Sequence, residues 1–425
     1  MKNIQTSSDF KKIRRVLEFV WNSPYSSFYK DKYTKAGINL IKDINSMEDF
    51  KKLPFLTREE IIKTDPYERI YFPKEKIKGA QFSSSTTGGK GILIMLKAGF
   101  PHPADKLAVQ KALDLKIKTA MIVVVSSAAW AINRPAFKDK SITRYLGSIH
   151  NLENAAIVIK ELRIEGFAAT SSILEQLIPH LIKQKALDQI RYISVGGEPC
   201  SPLRFDYFKK TFKNAYFRFA YNLTESRATS YVCDFYNNKP PENIVHPLTQ
   251  YTYFEVNNPE EESELVLTSL YTKTEFPIIR YKTGDMAKVY QEECECGRSM
   301  KMKIYGRIGM DNVRVKGNLI YREQIDKAIY PLGKYLSAAA WKLFITNSIK
   351  DKSLPKFKLQ LIVKDNFNKN IKSDLEKLVS DNIHFLSGKT FSQLVEEKMF
   401  SALKIEFVDG FQISPKQKSI FVETI

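Results

Sequence analysis

Cysteine is scarce in this sequence, with four residues in 425 and no secretion signal ahead of them, which excludes a scaffold built on disulfides. Long apolar runs are missing too. No stretch approaches the roughly 18–20 apolar residues of a membrane span, and the longest candidate, Thr119-Ala-Met-Ile-Val-Val-Val-Ser126, reads as a buried parallel strand. The opening Met1-Lys-Asn-Ile-Gln-Thr6 leads into a charged helix without a signal-peptide hydrophobic region, so a cytoplasmic protein with no membrane span is expected. Acidic residues are the minority: 47 Asp and Glu against 66 Lys and Arg leave a net charge of +19, a balance that invites a nucleic-acid partner. That reading needs an Arg-rich arm or a recognition-helix pattern, and neither is present. The basic residues are mostly Lys spread over the whole length, so a lysine-rich surface that attracts small anionic ligands is the better account and no nucleic-acid partner is expected.

What is present is an ordinary globular chain. Its 43% hydrophobic content supports packed cores, and the length allows two or three domains. Residues 8–21 carry Phe10, Ile13, Leu17 and Trp21 at three- and four-residue steps and read as an amphipathic helix. Thr57 is a helix N-cap with Glu60 completing a capping box. From 104 to about 240 helix-like and strand-like stretches alternate: Leu107–Leu115, Met121–Val125, 152–162, Gly166–Thr170, Ile173–Lys185, Ile190–Val195, Pro202–Phe212 and Tyr216–Ala220. Such alternation predicts an α/β fold with a mostly parallel sheet, whose ligands gather at the carboxyl ends of the strands. Beyond about 310 the character changes. Trp341–Ile345 and Phe357–Val363 alternate like half-exposed strands, and a helix at Ile371–Val379 with a strand at Leu403–Phe407 completes a small α+β unit.

Several short stretches carry chemistry. In Phe82-Ser-Ser-Ser-Thr-Thr-Gly-Gly-Lys90 five hydroxyls run into two glycines, a loop able to wrap a polyphosphate or simply a solvated turn. It lacks the Gly-Lys-Ser/Thr ending of a Walker loop, so a nucleotide site here is of another kind. Gly196-Gly-Glu-Pro199 lies at a strand end and also suits a tight turn before a helix that starts on proline. Tyr221-Asn-Leu-Thr-Glu225 offers an aromatic to stack a base, a hydroxyl for an α-phosphate and a carboxylate for magnesium. In Phe276-Pro-Ile-Ile-Arg-Tyr-Lys-Thr-Gly-Asp285 a strand of Ile278, Ile279 and Tyr281 is expected to run into a glycine turn. The aspartate at its end is then placed to accept both vicinal hydroxyls of a ribose. Cys294-Glu-Cys296-Gly297 sets two thiolates at a glycine turn, and Cys233 and His246 upstream complete a one-His, three-Cys zinc set; four ordinary reduced cysteines are the alternative. Cys200 stays outside this set as a small packed residue.

Taken in order, these motifs resemble the phenylacetate–CoA ligase branch of the adenylate-forming (ANL) enzymes over nearly the whole chain. Ser83-Ser84-Ser85-Thr86-Thr87-Gly88 is similar to that family's phosphate loop, Gly196-Gly197-Glu198-Pro199 to its Gly-Ala-Glu-Pro, and Tyr221–Glu225 to its Tyr-Gly-x-Thr-Glu. Arg280-Tyr-Lys-Thr-Gly-Asp285, with Pro277 three residues before, matches without a gap. Ser23-Pro-Tyr-Ser-Ser-Phe-Tyr29 and Leu53-Pro-Phe-Leu-Thr57 resemble its entry segment. By this resemblance Tyr221 faces adenine, Thr224 the α-phosphate, Glu225 magnesium and Asp285 the ribose, while Arg307 reaches the nucleotide. Lys418, with Lys416 as the alternative, contacts the reacting carboxylate. The four zinc candidates likewise resemble a zinc site of some relatives.

The implied reaction is activation of a small carboxylic acid by ATP to an acyl-adenylate, then transfer to a thiol, CoA or a carrier protein. A degenerate nucleotide-binding relative is the alternative. The implied domains are a nucleotide- and acyl-binding layered α/β domain over 1–309 and a small mobile α+β domain over 310–425, hinged near Met310–Asp311. Ser85 and Asn222 stand where the family has glycine, the segment before Gly317 is one residue longer, and the segment after Val125 lacks the family's Gly-rich, aromatic acyl-pocket lining. The acid is therefore not named by the sequence, and self-association into a homodimer is left open.

If Lys418 acts only in adenylation, Lys418→Ala lowers that step on the order of 10²–10³-fold and leaves thioester formation from supplied acyl-adenylate near normal. Separate assays of the two half-reactions, with Lys416→Ala as control, check this. Selective loss in the Lys416 variant instead shifts the assignment by two residues, and joint loss of both steps removes it.

Overall fold

In the computed structural model the described residues are 7–38, 41–83, 92–100, 104–124, 137–148, 151–198, 200–226, 230–232, 244–256, 262–309, 311–347, 353–364, 367–385, 387–410 and 420–424. The chain divides into two compact units. One is built from Met1–Gly197, Asn214–Asn238 and Ile244–Lys303, the other from Glu198–Lys213, Lys239–Asn243 and Ile304–Ile425.

The alternating segment of the first unit folds as a five-stranded sheet in which every pairing is parallel. Its order is Thr143–Ser148, Thr119–Val124, Gly166–Ala169, Tyr192–Gly196, Tyr216–Ala220. Buried on both faces, the central strands carry only small or apolar residues such as Phe167, Ala168 and Ile193. The crossover helices Leu152–Glu161 and Ser171–Lys183 start on side-chain caps, from Asn151 and from Thr170. A second sheet of six strands runs in the order Thr252–Glu255, Ser263–Ser269, Tyr281–Tyr290, Lys301–Arg307, Ile244–Pro247, Ser230–Val232. A hairpin of Gly79–Ser83 and Leu93–Lys97 flanks the Ser/Thr-rich loop. Among the described residues no helix is long and apolar enough to cross a membrane.

The helix expected over Pro202–Phe212 does start at Pro202, capped by Ser201, but two local readings need correction. The stretch read as a loop from Phe82 begins later, because Gly79 already pairs with Lys97 and the strand it starts takes in Phe82 and Ser83. Ile278 and Ile279 lie outside the strand, which begins at Tyr281 and continues to Tyr290 with Asp285 in its middle.

The reason for that last shift is Arg280. Its backbone is left-handed, at φ 49°, a strained conformation for a non-glycine residue. The strain is held by contacts on every side. The guanidinium pairs with Glu255 at 3.1 Å, donates to the carbonyls of Lys51 and Leu53 and lies 4.2 Å from the Phe55 ring. Burial pushes the Glu255 carboxyl above its ordinary range, against the pull of Arg280. On the backbone, the Leu56 N–H donates to the Arg280 carbonyl and the Lys282 N–H to the Leu56 carbonyl, each at 2.9 Å. The Leu-Pro-Phe-Leu segment is thereby bound to the rim of the six-stranded sheet. Tyr29 fastens the other entry motif beside it. Its hydroxyl donates to Pro277 O at 2.7 Å and accepts from the Ile279 N–H, and its ring stacks on Phe276.

In the second unit, a four-stranded sheet takes the order Leu403–Val408, Lys356–Val363, Leu336–Asn347, Ile420–Thr424. The central pair is antiparallel and both outer pairings are parallel. Helices Lys372–Asn382 and Arg322–Ile329 cover a core of Trp341, Leu343, Phe357, Leu359, Phe391 and Ile405. Arg322–Ile329 went unseen in the sequence because Glu323, Gln324 and Asp326 on it are buried, a pattern that reads as solvent-facing. Asp326 is satisfied by the Trp341 indole N–H at 2.6 Å.

Arg280→Met leaves Glu255 buried without its cation, a loss of about 3–5 kcal/mol. Urea unfolding monitored by the first unit's tryptophan fluorescence checks it, and a cost below about 1 kcal/mol refutes the clamp. Adding Glu255→Met recovers part of the loss.

Candidate nucleotide and metal sites

Asp285 owes its place to a bulge. Across the pair Ser263–Ser269 and Tyr281–Tyr290, Glu264 faces Met286 while Val266 faces Lys282, so Thr283, Gly284 and Asp285 crowd opposite Leu265. Gly284 takes φ 75°, which a side-chain-bearing residue adopts only with strain. The bulge is locked by Thr283, whose hydroxyl donates to Leu265 O at 2.8 Å and accepts the Asp285 N–H at 3.0 Å. Asp285 is thus a buried carboxylate aimed by backbone geometry. Tyr221, just past the end of the parallel strand Tyr216–Ala220, donates its hydroxyl to Asp285 Oδ2 at 2.7 Å. The structure therefore brings the base-stacking and ribose candidates into direct contact.

The rest of the Tyr221–Glu225 loop follows. Asn222 is exposed and lies outside the left-handed region that the family's glycine permits, so this departure introduces no backbone strain. Thr224 is half-buried, and Glu225 is buried with a side-chain exposure of 4%. Glu225 Oε1 accepts from Arg58 Nη1 at 2.9 Å and from the Tyr281 hydroxyl at 2.8 Å. Magnesium takes one or two carboxylates plus phosphate oxygens, and a fixed, buried carboxylate beside a candidate phosphate-binding threonine fits such an ion. Arg58 was not among the residues singled out from sequence, and Tyr281 was read there as a strand residue without a site role. Arg58 registers there only as a residue of a capped helix.

Gly197, which follows the strand Tyr192–Gly196, takes φ 91° and belongs to the first unit; Glu198 belongs to the second. Arg307 also lies in the second unit, where a clip around Asp311 positions it. The Arg307 N–H donates to Asp311 Oδ2 at 3.0 Å and the Asp311 N–H to Arg307 O at 2.9 Å. Gly306 admits this clip, since a Cβ there would sit 2.4 Å from the Asp311 Cβ. Arg322 pairs with Asp311 at 4.0 Å, yet burial still drives the Asp311 carboxyl above its usual range. Ser84, Thr86, Thr87, Gly88, Pro199, Cys233, Met310, Lys416 and Lys418 fall outside the described residues, and Ser83 closes the strand Gly79–Ser83.

Three of the four zinc candidates do converge. The ligand atoms of His246, Cys294 and Cys296 lie within 4.8 Å of one another, and Cys296 Sγ is 3.1 Å from His246 Nε2. His246 Nδ1 is 2.6 Å from Met300 O, so it carries the proton and leaves Nε2 as the lone-pair nitrogen. Burial lowers the imidazole's proton affinity, and Lys301 nearby lowers it further. Two thiols and one oriented imidazole suit zinc.

A layered α/β unit with a parallel sheet, a second sheet whose bulge presents a buried aspartate, and a small separate α+β unit make up a fold shared with solved CoA ligases. A solved structure of 2-hydroxyisobutyryl-CoA ligase in complex with 2-HIB-AMP is similar with a TM-score of 0.74 at 16% identity, over 98% of this chain and 89% of its own. The amide bond synthetase of Marinactinospora thermotolerans is similar with a TM-score of 0.52 at 14% identity, over 94% of this chain and 82% of its own. In sequence, the phenylacetate-coenzyme A ligase of Thermus thermophilus is 23% identical over 354 residues, which are 75% of this chain and 74% of that protein. No protein-family profile matches the chain. The fold is thus that of these ligases, and in sequence the chain is similar to a phenylacetate-coenzyme A ligase.

Proposed function

We propose that this protein is an AMP-forming acid–thiol ligase. A carboxylate oxygen attacks the α-phosphorus of ATP, the bond to pyrophosphate breaks, and an acyl-adenylate forms. A thiol sulfur, that of CoA by the resemblance to phenylacetate-coenzyme A ligase, then attacks the acyl carbon and AMP leaves. The observation that carries the reading is the Gly284 bulge, which joins buried Asp285 to Tyr221 at the head of the loop ending in Glu225. In this reading Asp285 accepts the ribose hydroxyls and Tyr221 stacks on adenine. Thr224 and the Ser83–Gly88 loop donate to phosphate oxygens, while Arg307 and Lys418 supply positive charge as the carboxylate and phosphate approach. Magnesium, when bound at Glu225, neutralises phosphate charge. Residues 310–425 form the mobile small domain that presents Lys418 in the first step.

ATP–pyrophosphate exchange over a panel of carboxylic acids tests the activity, and exchange absent with every acid refutes it in favour of nucleotide binding alone. Asp285→Ala should weaken ATP binding at least about 100-fold, as expected when a carboxylate's paired bonds are lost, with the fold retained by circular dichroism. Near-wild-type calorimetric affinity removes the ribose assignment.

Zinc, held by His246, Cys294 and Cys296 with Cys233 as fourth ligand, is structural in the same proposal. Elemental analysis of purified protein should find about one zinc per chain. Removal by a chelator should lower the melting temperature, and a metal-free preparation that is equally stable overturns the assignment.

A further inference from the structure

Arg58 stands at the first position of the helix Arg58–Lys63, where the helix dipole disfavours a cation. The helix is otherwise well begun. Thr57 and Glu60 form a complete capping box, and Lys32 pairs with Glu60. Helix stability gives no reason for an arginine there, and its contacts point elsewhere. Its Nη1 donates to Glu225 Oε1 at 2.9 Å, across 167 residues of sequence, with side-chain exposures of 20% and 4%.

The second donor to the same oxygen arrives by the same route. Leu56 is bridged to Tyr281, with the hydrogen bonds from Leu56 N–H to Arg280 O and from Lys282 N–H to Leu56 O closing the bridge. That register puts Arg58 two residues beyond a point tied to Tyr281. Tyr281, 1% exposed, sends its own hydroxyl to Glu225 Oε1 at 2.8 Å. One main-chain register therefore delivers both donors to one carboxylate oxygen. The Arg280 clamp on Lys51, Leu53 and Glu255 keeps that register in place.

We propose that Arg58 is a positioning residue for the magnesium-bearing carboxylate: with Tyr281 it saturates one oxygen of Glu225, fixes the carboxylate's orientation and so sets the site's affinity for magnesium-loaded ATP. The proposal rests on the reading of Glu225 given above. Groups that orient a metal ligand typically change metal affinity on the order of 10–100-fold when removed.

The test is calorimetric titration of the full chain with ATP, without any carboxylic acid, once in magnesium chloride and once in EDTA. Wild type should bind ATP more tightly with magnesium. Arg58→Met should lose about tenfold or more in affinity with magnesium while its affinity in EDTA stays at the wild-type value. Arg58→Lys, which keeps the charge, should recover part of the loss, and Tyr281→Phe should show a smaller loss of the same magnesium-dependent kind. Equal weakening of Arg58→Met in both buffers means that Arg58 merely holds structure, and tighter magnesium-dependent binding means that it competes with the ion; either result overturns the proposal. Failure of the underlying reading looks different. A wild type that binds ATP with no magnesium increment refutes the Glu225 assignment and this proposal with it, and a wild type that binds no ATP refutes the nucleotide site altogether.

Discussion

A charge that is taken out of water must be met from all sides, and in the first unit Arg280 is where that requirement shapes the chain. Its partners come from two separated stretches: Glu255 on one strand, and the segment 51–55 with the carbonyls of Lys51 and Leu53 and the Phe55 ring. Meeting them all forces a left-handed backbone at Arg280 itself. Once those bonds are made, Leu56 is in register with Tyr281, Arg58 reaches Glu225, and the strand carrying Asp285 starts at Tyr281. The nucleotide candidates thus depend on an ion pair that touches none of them except through main chain.

Much of this was legible in the sequence, for stated physical reasons. Four strands of the parallel sheet were readable because they are short, largely apolar runs alternating with helices, whereas the edge strand Thr143–Ser148, with Arg144 and Tyr145, was not; the Thr57–Glu60 box was readable because capping chemistry is local. Asp285 and Tyr221 were readable as motif residues, and the structure joins them by a hydrogen bond. His246, Cys294 and Cys296 were grouped from residue type, the Cys-x-Cys spacing and the resemblance to a zinc site of some relatives, and they do meet.

What escaped was whatever depends on long-range pairing. Gly284 looks like the end of a strand, whereas glycine in a strand interior marks a bulge, and only the register with Ser263–Ser269 distinguishes the two. Arg58 looks like a surface residue of a short helix until Glu225, far along the chain, is placed beside it. The buried acids of Arg322–Ile329 defeated a reading that equates charge with exposure, since they pair with Arg322 and Lys327 on the same helix while Trp341 reaches Asp326 from another element.

The clip between Arg307 and Asp311 has a consequence for how such a chain is free to drift. Its two reciprocal hydrogen bonds span a fixed number of residues, and Gly306 is in near contact with the Asp311 side chain. The hairpin that follows, Asn312–Val315 with Asn318–Tyr321, pairs without slippage across a two-residue turn at Lys316 and Gly317. The segment from 306 to 321 therefore acts as a ruler. Side chains at Ile308 or Arg314 are free to change, but inserting or deleting one residue breaks the clip or rotates every side chain of the hairpin to its other face. This chain is one residue longer before Gly317 than the family it resembles, so its clip and hairpin keep a spacing of their own, which a further insertion or deletion would break.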